Sequence, residues 1–335
     1  MGSGTRIVVT GGGGFLGNAF VVAFRRRYPD AQVVALDVRP GPGVTVADVL
    51  DEARLTDLFT GADLVVHTAA VVEESGAVDV MWRINVTGTA TVLAAAEAAG
   101  VPAVLHLSSI VVHGPTFPDG VDETGPVRMS GNPYTDTKVA SEHQALLAAA
   151  RGLPVAIVRP GDVYGPGSSP WTLRPVATIR AGSFRLLDRG RGILSPVYVD
   201  DVIEGALSLL EPGVGAGESV PRLRPEATGQ VFHVTGGVGV PAAEFFGHYA
   251  RMTGVRLKSV PGWMLRVLAP VLERLPLPFS PRIVEYLSHP GTYSIDKITR
   301  TTGWTPRVDL LDGMERTEQW LRDRALLPRP ESPPE

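Results

Sequence analysis

No cysteine occurs in the 335 residues. That excludes disulfides, thiol nucleophiles and cysteine-bound zinc. Lysine is nearly absent as well. Lys138, Lys258 and Lys297 are the three lysines among 31 basic residues, and arginine supplies the other 28. There is no excess of positive charge to mark a nucleic-acid surface, since the net charge is -4 and the pI is near 6.0. The seven histidines show no metal-ligand spacing, so no metal is expected. No stretch combines the length and apolarity of a membrane span, and no signal-peptide pattern precedes the first strand. The expected location is the cytoplasm. The remaining composition, 44% hydrophobic and 20% charged, describes a globular chain long enough to bury a large core.

The glycines are concentrated where they carry chemistry. Arg6-Ile7-Val8-Val9-Thr10 reads as a short buried strand, and Gly11-Gly12-Gly13-Gly14-Phe15-Leu16-Gly17 follows it. An apolar-periodic helix then runs to about Tyr28, and a second strand, Gln32 to Leu36, ends in Asp37. Strand, glycine turn, helix, strand and acid in this order form a dinucleotide-binding context. The glycines fit two registers, one through Gly12, Gly14 and Gly17 and one through Gly11, Gly14 and Gly17. Either lets the backbone approach a pyrophosphate at a helix N-terminus. Asp37 is placed to accept hydrogen bonds from the adenosine ribose and to repel a 2′-phosphate. NAD is therefore favoured, with NADP as the alternative because Arg39 could partner a phosphate.

Against the scarcity of lysine, Tyr134-Thr135-Asp136-Thr137-Lys138 stands out. Positions i and i+4 share a helix face. A compact ammonium there can lower the pKa of a phenol, ordinarily ~10, and ready it for proton transfer. The plain alternative is a surface Tyr and Lys one turn apart.

Taken together and in order, these motifs resemble the extended branch of the short-chain dehydrogenase/reductase superfamily, over nearly the whole chain. Thr10 to Gly17 (TGGGGFLG) resembles its glycine turn, Asp48-Val49 its adenine-side acid, and His67-Thr68-Ala69-Ala70 its third cofactor-side segment. Asn85 to Thr89 (NVTGT), Ser108 to Pro115 (SSIVVHGP) and Arg159 to Pro166 (RPGDVYGP) continue the match. The resemblance implies catalysis by Ser109, Tyr134 and Lys138. Tyr134 would be the acid/base, Lys138 would lower its pKa and bind the nicotinamide ribose, and Ser109 would hold the reacting oxygen. Ser108 is the second candidate hydroxyl. Cofactor contacts are implied at Gly11, Gly14, Phe15, Leu16, Gly17, Asp37, Asp48, Val49, His67, Ala69, Ala70, Tyr134, Lys138 and Pro160. Asn85 is expected to be structural or cofactor-side. Asp162 stands where many relatives carry Asn.

The expected fold is a doubly wound parallel α/β sheet with a smaller, interleaved C-terminal region. Strands are expected at 5–10, 32–37, 63–68, 103–109 and 154–159, and helices near 15–28, 51–59, 77–99 and 132–150. The dinucleotide-binding core should cover residues 1–160, with a strand returning near 230–235. A substrate-binding region should cover 161–326, with a disordered tail at 327–335. Residues 211–229 read as a flexible surface loop. The alanine-rich stretches Ala94 to Ala99 and Ala145 to Ala150 can pack closely, and the resemblance makes a homodimer the expected state.

The substrate is expected to be a small, hydrophobic molecule. The segments at 108–115 and 159–166, and Pro261-Gly262-Trp263-Met264-Leu265 opening an apolar helix, look most like the 3β-hydroxysteroid dehydrogenase-like group. A steroid, polyketide or terpenoid alcohol fits that reading. Nucleotide-sugar epimerases and dehydratases are the alternative. They commonly carry an Arg where this chain has Leu194, Ser195 or Pro196, although Arg185, Arg189 and Arg191 lie nearby. A non-catalytic dinucleotide sensor is a remote third reading.

Overall fold

The computed structural model describes residues 4–72, 78–212, 220–264 and 283–327. Its centre is a seven-stranded, fully parallel sheet built from β1 (Arg6–Thr10), β2 (Gln32–Asp37), β3 (Val44–Val46), β4 (Leu64–His67), β5 (Val104–Leu107), β6 (Val155–Pro160) and β7 (Val231–Val234). The order across the sheet is β7-β6-β5-β4-β1-β2-β3. These segments are runs of Val, Ile and Leu because helices cover both faces, so neither face can be polar. Ile7, Val8 and Val9 are completely buried. The order reverses at β1, between β4 and β2, and that switch point is where doubly wound sheets open a ligand crevice.

Register brings the chemistry to one edge. Thr10 pairs with His67, His67 with His106, and Val234 with Pro160, so these strands end together. The glycine turn, the Ala69-Ala70 segment, Ser109 and Gly161-Asp162 all follow strand ends on that edge.

The helix from Phe15 to Arg27 (α1) packs on the sheet through Phe20, Val21 and Phe24. The expected helix at 77–99 is interrupted. Val78–Trp82 (α2) passes through a wider turn at Arg83–Thr87 before Gly88–Ala98 (α3). The widening falls where Asn85 turns inward to bind Val71, which lets a side chain take over local backbone order. Pro133–Ala150 (α4) starts at a designed stop: Asn132 accepts from Tyr134 N (2.9 Å) and Thr135 N (3.1 Å), and Pro133 occupies the first turn. Asp136 adds bonds from Ser130 N and Gly131 N. The start of α4, and hence Tyr134, is held from both sides.

A second apolar core, around Tyr164, Val197, Phe245 and Tyr249, belongs to the C-terminal region. Ala95, Ala96, Ala145 and Ala148 are fully buried within the chain, so those alanines serve internal packing of α3 against α4. The expected flexible loop at 211–229 needs correction at its ends. Leu210–Pro212 pairs antiparallel with Pro221–Leu223, and Pro225–Ala227 makes a helical turn. Leu223 and Ala227 are buried there, which gives the segment apolar anchors. Leu327, expected to open a disordered tail, is also buried. Most of the apolar helix expected after Pro261, and the rest of the tail, lie outside the described residues.

Candidate active site

The glycine turn is held by backbone-to-backbone approach. A Cβ on Gly17 would lie 2.0 Å from Gly11 O, and one on Gly11 (φ +69°) would lie 2.7 Å from Ala69 N. Only glycines permit this packing, and it draws the Ala69-Ala70 segment against the turn. The helix α1 starts at Gly14 with no side chain capping its N–H groups, whereas α4 is capped by Asn132. Uncapped first-turn donors beside a glycine cradle fit a dinucleotide pyrophosphate. Phe15 and Leu16 are partly buried and pack against the second core.

Asp37 is buried at the end of β2 and accepts from Gly13 N (3.2 Å) and Arg39 N (3.0 Å). The Arg39 guanidinium lies 3.7 Å from the same carboxylate. Asp48 is exposed, its carboxylate turned to Leu50 N, and Val49 packs over Gly88. His67 departs from the cofactor-side expectation. Its ring is 1% exposed and is bonded to Thr10 Oγ1 (2.7 Å) and Thr89 Oγ1 (2.9 Å). Burial and the charge of Lys138 lower its pKa to about 3, so it is a neutral core histidine. The pleat explains this: His67 is the last strand residue and its side chain faces the α3 side of the sheet, leaving only its backbone toward the crevice. Pro160 is likewise buried, at the end of β6 beside Val234.

Ser109, Tyr134 and Lys138 converge although they come from two elements. Ser109 starts the turn after β5, and its side chain hydrogen-bonds Tyr134. The Lys138 ammonium lies 5.9 Å from the Tyr134 ring centroid and donates to Leu107 O at 2.9 Å. The electrostatics differ from the simple Tyr–Lys expectation. Burial pushes the Tyr134 phenol up to about 12, and the bond from Ser109 is what works in the opposite direction. Lys138 is pulled down to about 8 by burial, with Glu142 opposing the fall. Burial is the largest cause of both shifts, because it disfavours the charged form of each group. Asn85 binds both backbone groups of Val71 and Thr137 Oγ1 (3.1 Å), tying the crevice wall to α4.

Beneath these residues lies a buried polar network that motif reading missed. Ser108 Oγ donates to Glu142 (2.8 Å), which settles that hydroxyl away from the crevice. Arg159 grips the same carboxylate through Nε (3.0 Å) and Nη2. Its Nη1 lies 3.2 Å from His113 Nε2, which is 2.9 Å from His233 Nε2. Burial foremost lowers these histidines to about 4 and about 3. The i+4 spacing of Lys138 and Glu142 was a sequence signal for the carboxylate; nothing local pointed to His233.

An aromatic cluster lies in the C-terminal region near Asp162. Phe117 stacks near His289 (4.9 Å) and Tyr293 (4.7 Å), and Tyr286 lies 5.4 Å from His289 and 6.5 Å from Trp171. Asp162 is buried and accepts from Ser195 N (2.8 Å) and Tyr286 Oη (2.7 Å). Burial raises its carboxyl to about 6. Asp162, Tyr293 and Tyr134 all add to burial in holding Tyr286 protonated. Tyr293 Oη and His289 Nδ1 are buried without a hydrogen-bond partner among the described residues.

Residues 7–220 match the NAD dependent epimerase/dehydratase family. The chain belongs to that family. It is an enzyme fold of the extended short-chain dehydrogenase/reductase type. The 2-alkyl-3-oxoalkanoate reductase of Stenotrophomonas maltophilia (strain K279a) is 28% identical, over 93% of this chain and 98% of that protein. The human sterol-4-alpha-carboxylate 3-dehydrogenase, decarboxylating, is 24% identical, over 95% of this chain and 88% of that protein. The crystal structure of DesIV, a dTDP-glucose 4,6-dehydratase from Streptomyces venezuelae with NAD and TYD bound, is 27% identical with a TM-score of 0.75. It covers 95% of this family member and 97% of its own chain. No described helix is long and apolar enough to cross a membrane.

Proposed function

We propose that this family member interconverts a secondary alcohol and a ketone on a hydrophobic substrate, using NAD. The observation that carries this reading is the Asp162–Tyr286 pair within an aromatic wall. A diphosphate brings two negative charges and wants guanidinium donors. Here the segment 194–196 is buried Leu-Ser-Pro, and the group buried beside it is the Asp162 carboxyl, which offers a diphosphate no cation. Arg185 is exposed and spends its guanidinium on Gly182 O and Phe184 O. Phe117, Trp171 and Tyr286 instead offer flat apolar surface, and Tyr293 and His289 offer unspent polar atoms to a substrate oxygen. The reductase and the sterol dehydrogenase among the relatives agree with a lipophilic alcohol or ketone; a steroid-like ring is the first substrate to try.

NAD, bound on the glycine turn, supplies the hydride acceptor or, reduced, the donor. Gly11, Gly14 and Gly17 would hold its pyrophosphate and Asp37 its adenosine ribose. In oxidation Tyr134 takes the hydroxyl proton as hydride leaves the carbinol carbon; in reduction it returns that proton to the carbonyl oxygen. Ser109 orients the reacting oxygen, and Lys138 supplies positive charge beside the phenol. At about 12, the Tyr134 phenol rests in the protonated state that reduction requires.

The test is NADH change with purified protein on a panel of 3β-hydroxysteroids, other lipophilic ring alcohols, their ketones and nucleotide sugars. Tyr134→Phe serves as the control. Turnover of a lipophilic member, lost in Tyr134→Phe, is expected. A nucleotide sugar altered without net NADH would overturn the reading in favour of an epimerase or dehydratase.

A further inference from the structure

We infer that Glu142 is a positioning residue that keeps Lys138 cationic and anchors the strand end carrying Ser109. The inference rests on the proposed roles of Lys138 and Ser109 but is measurable without turnover. Glu142 lies one helical turn beyond Lys138 on α4, and both side chains are at least nine-tenths buried. Its carboxylate accepts from Ser108, the neighbour of Ser109, and is clamped by Arg159 on β6. Lys138 in turn donates to Leu107 O, one residue before Ser108. Lys138 and Glu142, buried one turn apart on one helix, therefore hold adjacent residues of the same strand end.

Among the described residues, no other side chain around Lys138 favours its charge. His106 on β5 and His67 on β4 are neutral and buried, and their own pKa values are lowered by this ammonium. Tyr134 on the same helix is protonated. Arg159 is a second buried cation whose charge Glu142 absorbs. Within this set Glu142 is the one anion that raises Lys138. A buried amine without it loses its proton more readily.

The scarcity of lysine makes the test direct. Protein labelled with 13C at lysine Cε carries three signals, from Lys138, Lys258 and Lys297, and Lys138→Met identifies the first. Glu142→Gln removes the charge; it keeps an acceptor oxygen for Ser108 and Arg159 Nε but turns an amide NH2 toward Arg159 Nη2, so stability is read beside the midpoint. The Lys138 midpoint is expected to fall by about 1 unit or more. The alkaline limb of kcat/KM should move down by the same amount, and Glu142→Asp should restore most of the shift. An unmoved midpoint, with kcat or stability reduced, would overturn the inference and leave Glu142 a packing residue. If Glu142→Gln does not fold with Arg159 unpaired, Arg159→Met, which leaves the carboxylate to Lys138 alone, is measured instead; its Lys138 midpoint must rise, and one that stays or falls would overturn the inference. The midpoint is read without substrate, so a silent substrate panel would count against the proposed reaction and not against this role.

Discussion

Gly17→Ala sets two opposite effects against each other. Gly17 lies in the first turn of α1, and Ala at an ordinary helix position is favoured over Gly by about 1 kcal/mol. The added Cβ, however, would meet Gly11 O at 2.0 Å, Gly11 C at 2.6 Å and Thr68 Oγ1 at 2.8 Å. Carbon and oxygen approach comfortably to about 3.3 Å, so the turn must open by about 1.3 Å. The obstructing atoms are backbone, and Thr68 Oγ1 is itself bonded to Thr10 O at 2.8 Å. Overpacking of this kind costs about 1–3 kcal/mol, which outweighs the helix gain. Gly247, inside the helix Ala242–Thr253, is the control, since its nearest neighbour would be Arg251 Nη1 at 3.8 Å. Urea denaturation should show Gly17→Ala less stable by up to about 2 kcal/mol and Gly247→Ala unchanged or more stable by up to about 1 kcal/mol. Isothermal titration should show NAD binding weakened at least about tenfold in Gly17→Ala, roughly 1.4 kcal/mol, and unaltered in Gly247→Ala. Equal stability and equal NAD affinity in the two variants would refute both the close approach and the assignment of this turn as the pyrophosphate cradle.

Two further outcomes follow from the charges. The wild-type protein should bind NAD in preference to NADP, and Asp37→Ser, which removes the anion and frees Arg39, should shift that preference toward NADP by about tenfold or more, one buried or crevice charge being worth at least about 1.4 kcal/mol; tighter NADP binding by the wild type would sink the reading of Asp37. Acid should unfold the chain steeply. Burial foremost lowers His67, His113, His233 and His289 to between about 4 and about 3 in the folded state, and lowers His106 well below its ordinary value, so each contributes stability that is present above 6.5 and is lost as pH falls below it. Asp162 and Glu123 are raised and offset part of this by binding protons in the folded state. A net excess of roughly three protons in the unfolded chain gives a slope of about 4 kcal/mol per pH unit near pH 5.5. Urea midpoints measured at pH 7, 6 and 5 that stay level would show that these rings are not buried neutral.

Much of the framework was legible in local sequence. The expected strand at 32–37 is Gln32–Asp37, the helix expected near 15–28 is Phe15–Arg27, and that near 132–150 is Pro133–Ala150. Apolar runs, glycine turns and the Asn132-Pro133 cap act over a few residues, and so they can be read without knowing the fold. The glycine turn, Asp37 and the Tyr134–Lys138 pair are local for the same reason. Register and solvation were not legible. His67 sits inside a motif that suggests cofactor contact, yet the pleat of β4 turns its ring into the core. The spacing of Tyr134 and Lys138 predicts a shared face, but the depth at which α4 lies on the sheet decides that burial governs both pKa values. The groups that complete the site pair across great sequence distances: His113 with His233 over 120 residues, and Asp162 with Tyr286 over 124. The sequence by itself determined a parallel dinucleotide-binding sheet with a Tyr–Lys helix at its edge, because those signals are set by backbone periodicity and capping. Only the tertiary structure decided which charges are buried together and which aromatic rings cluster beside Asp162, because desolvation and long-range contact exist only once distant segments have packed.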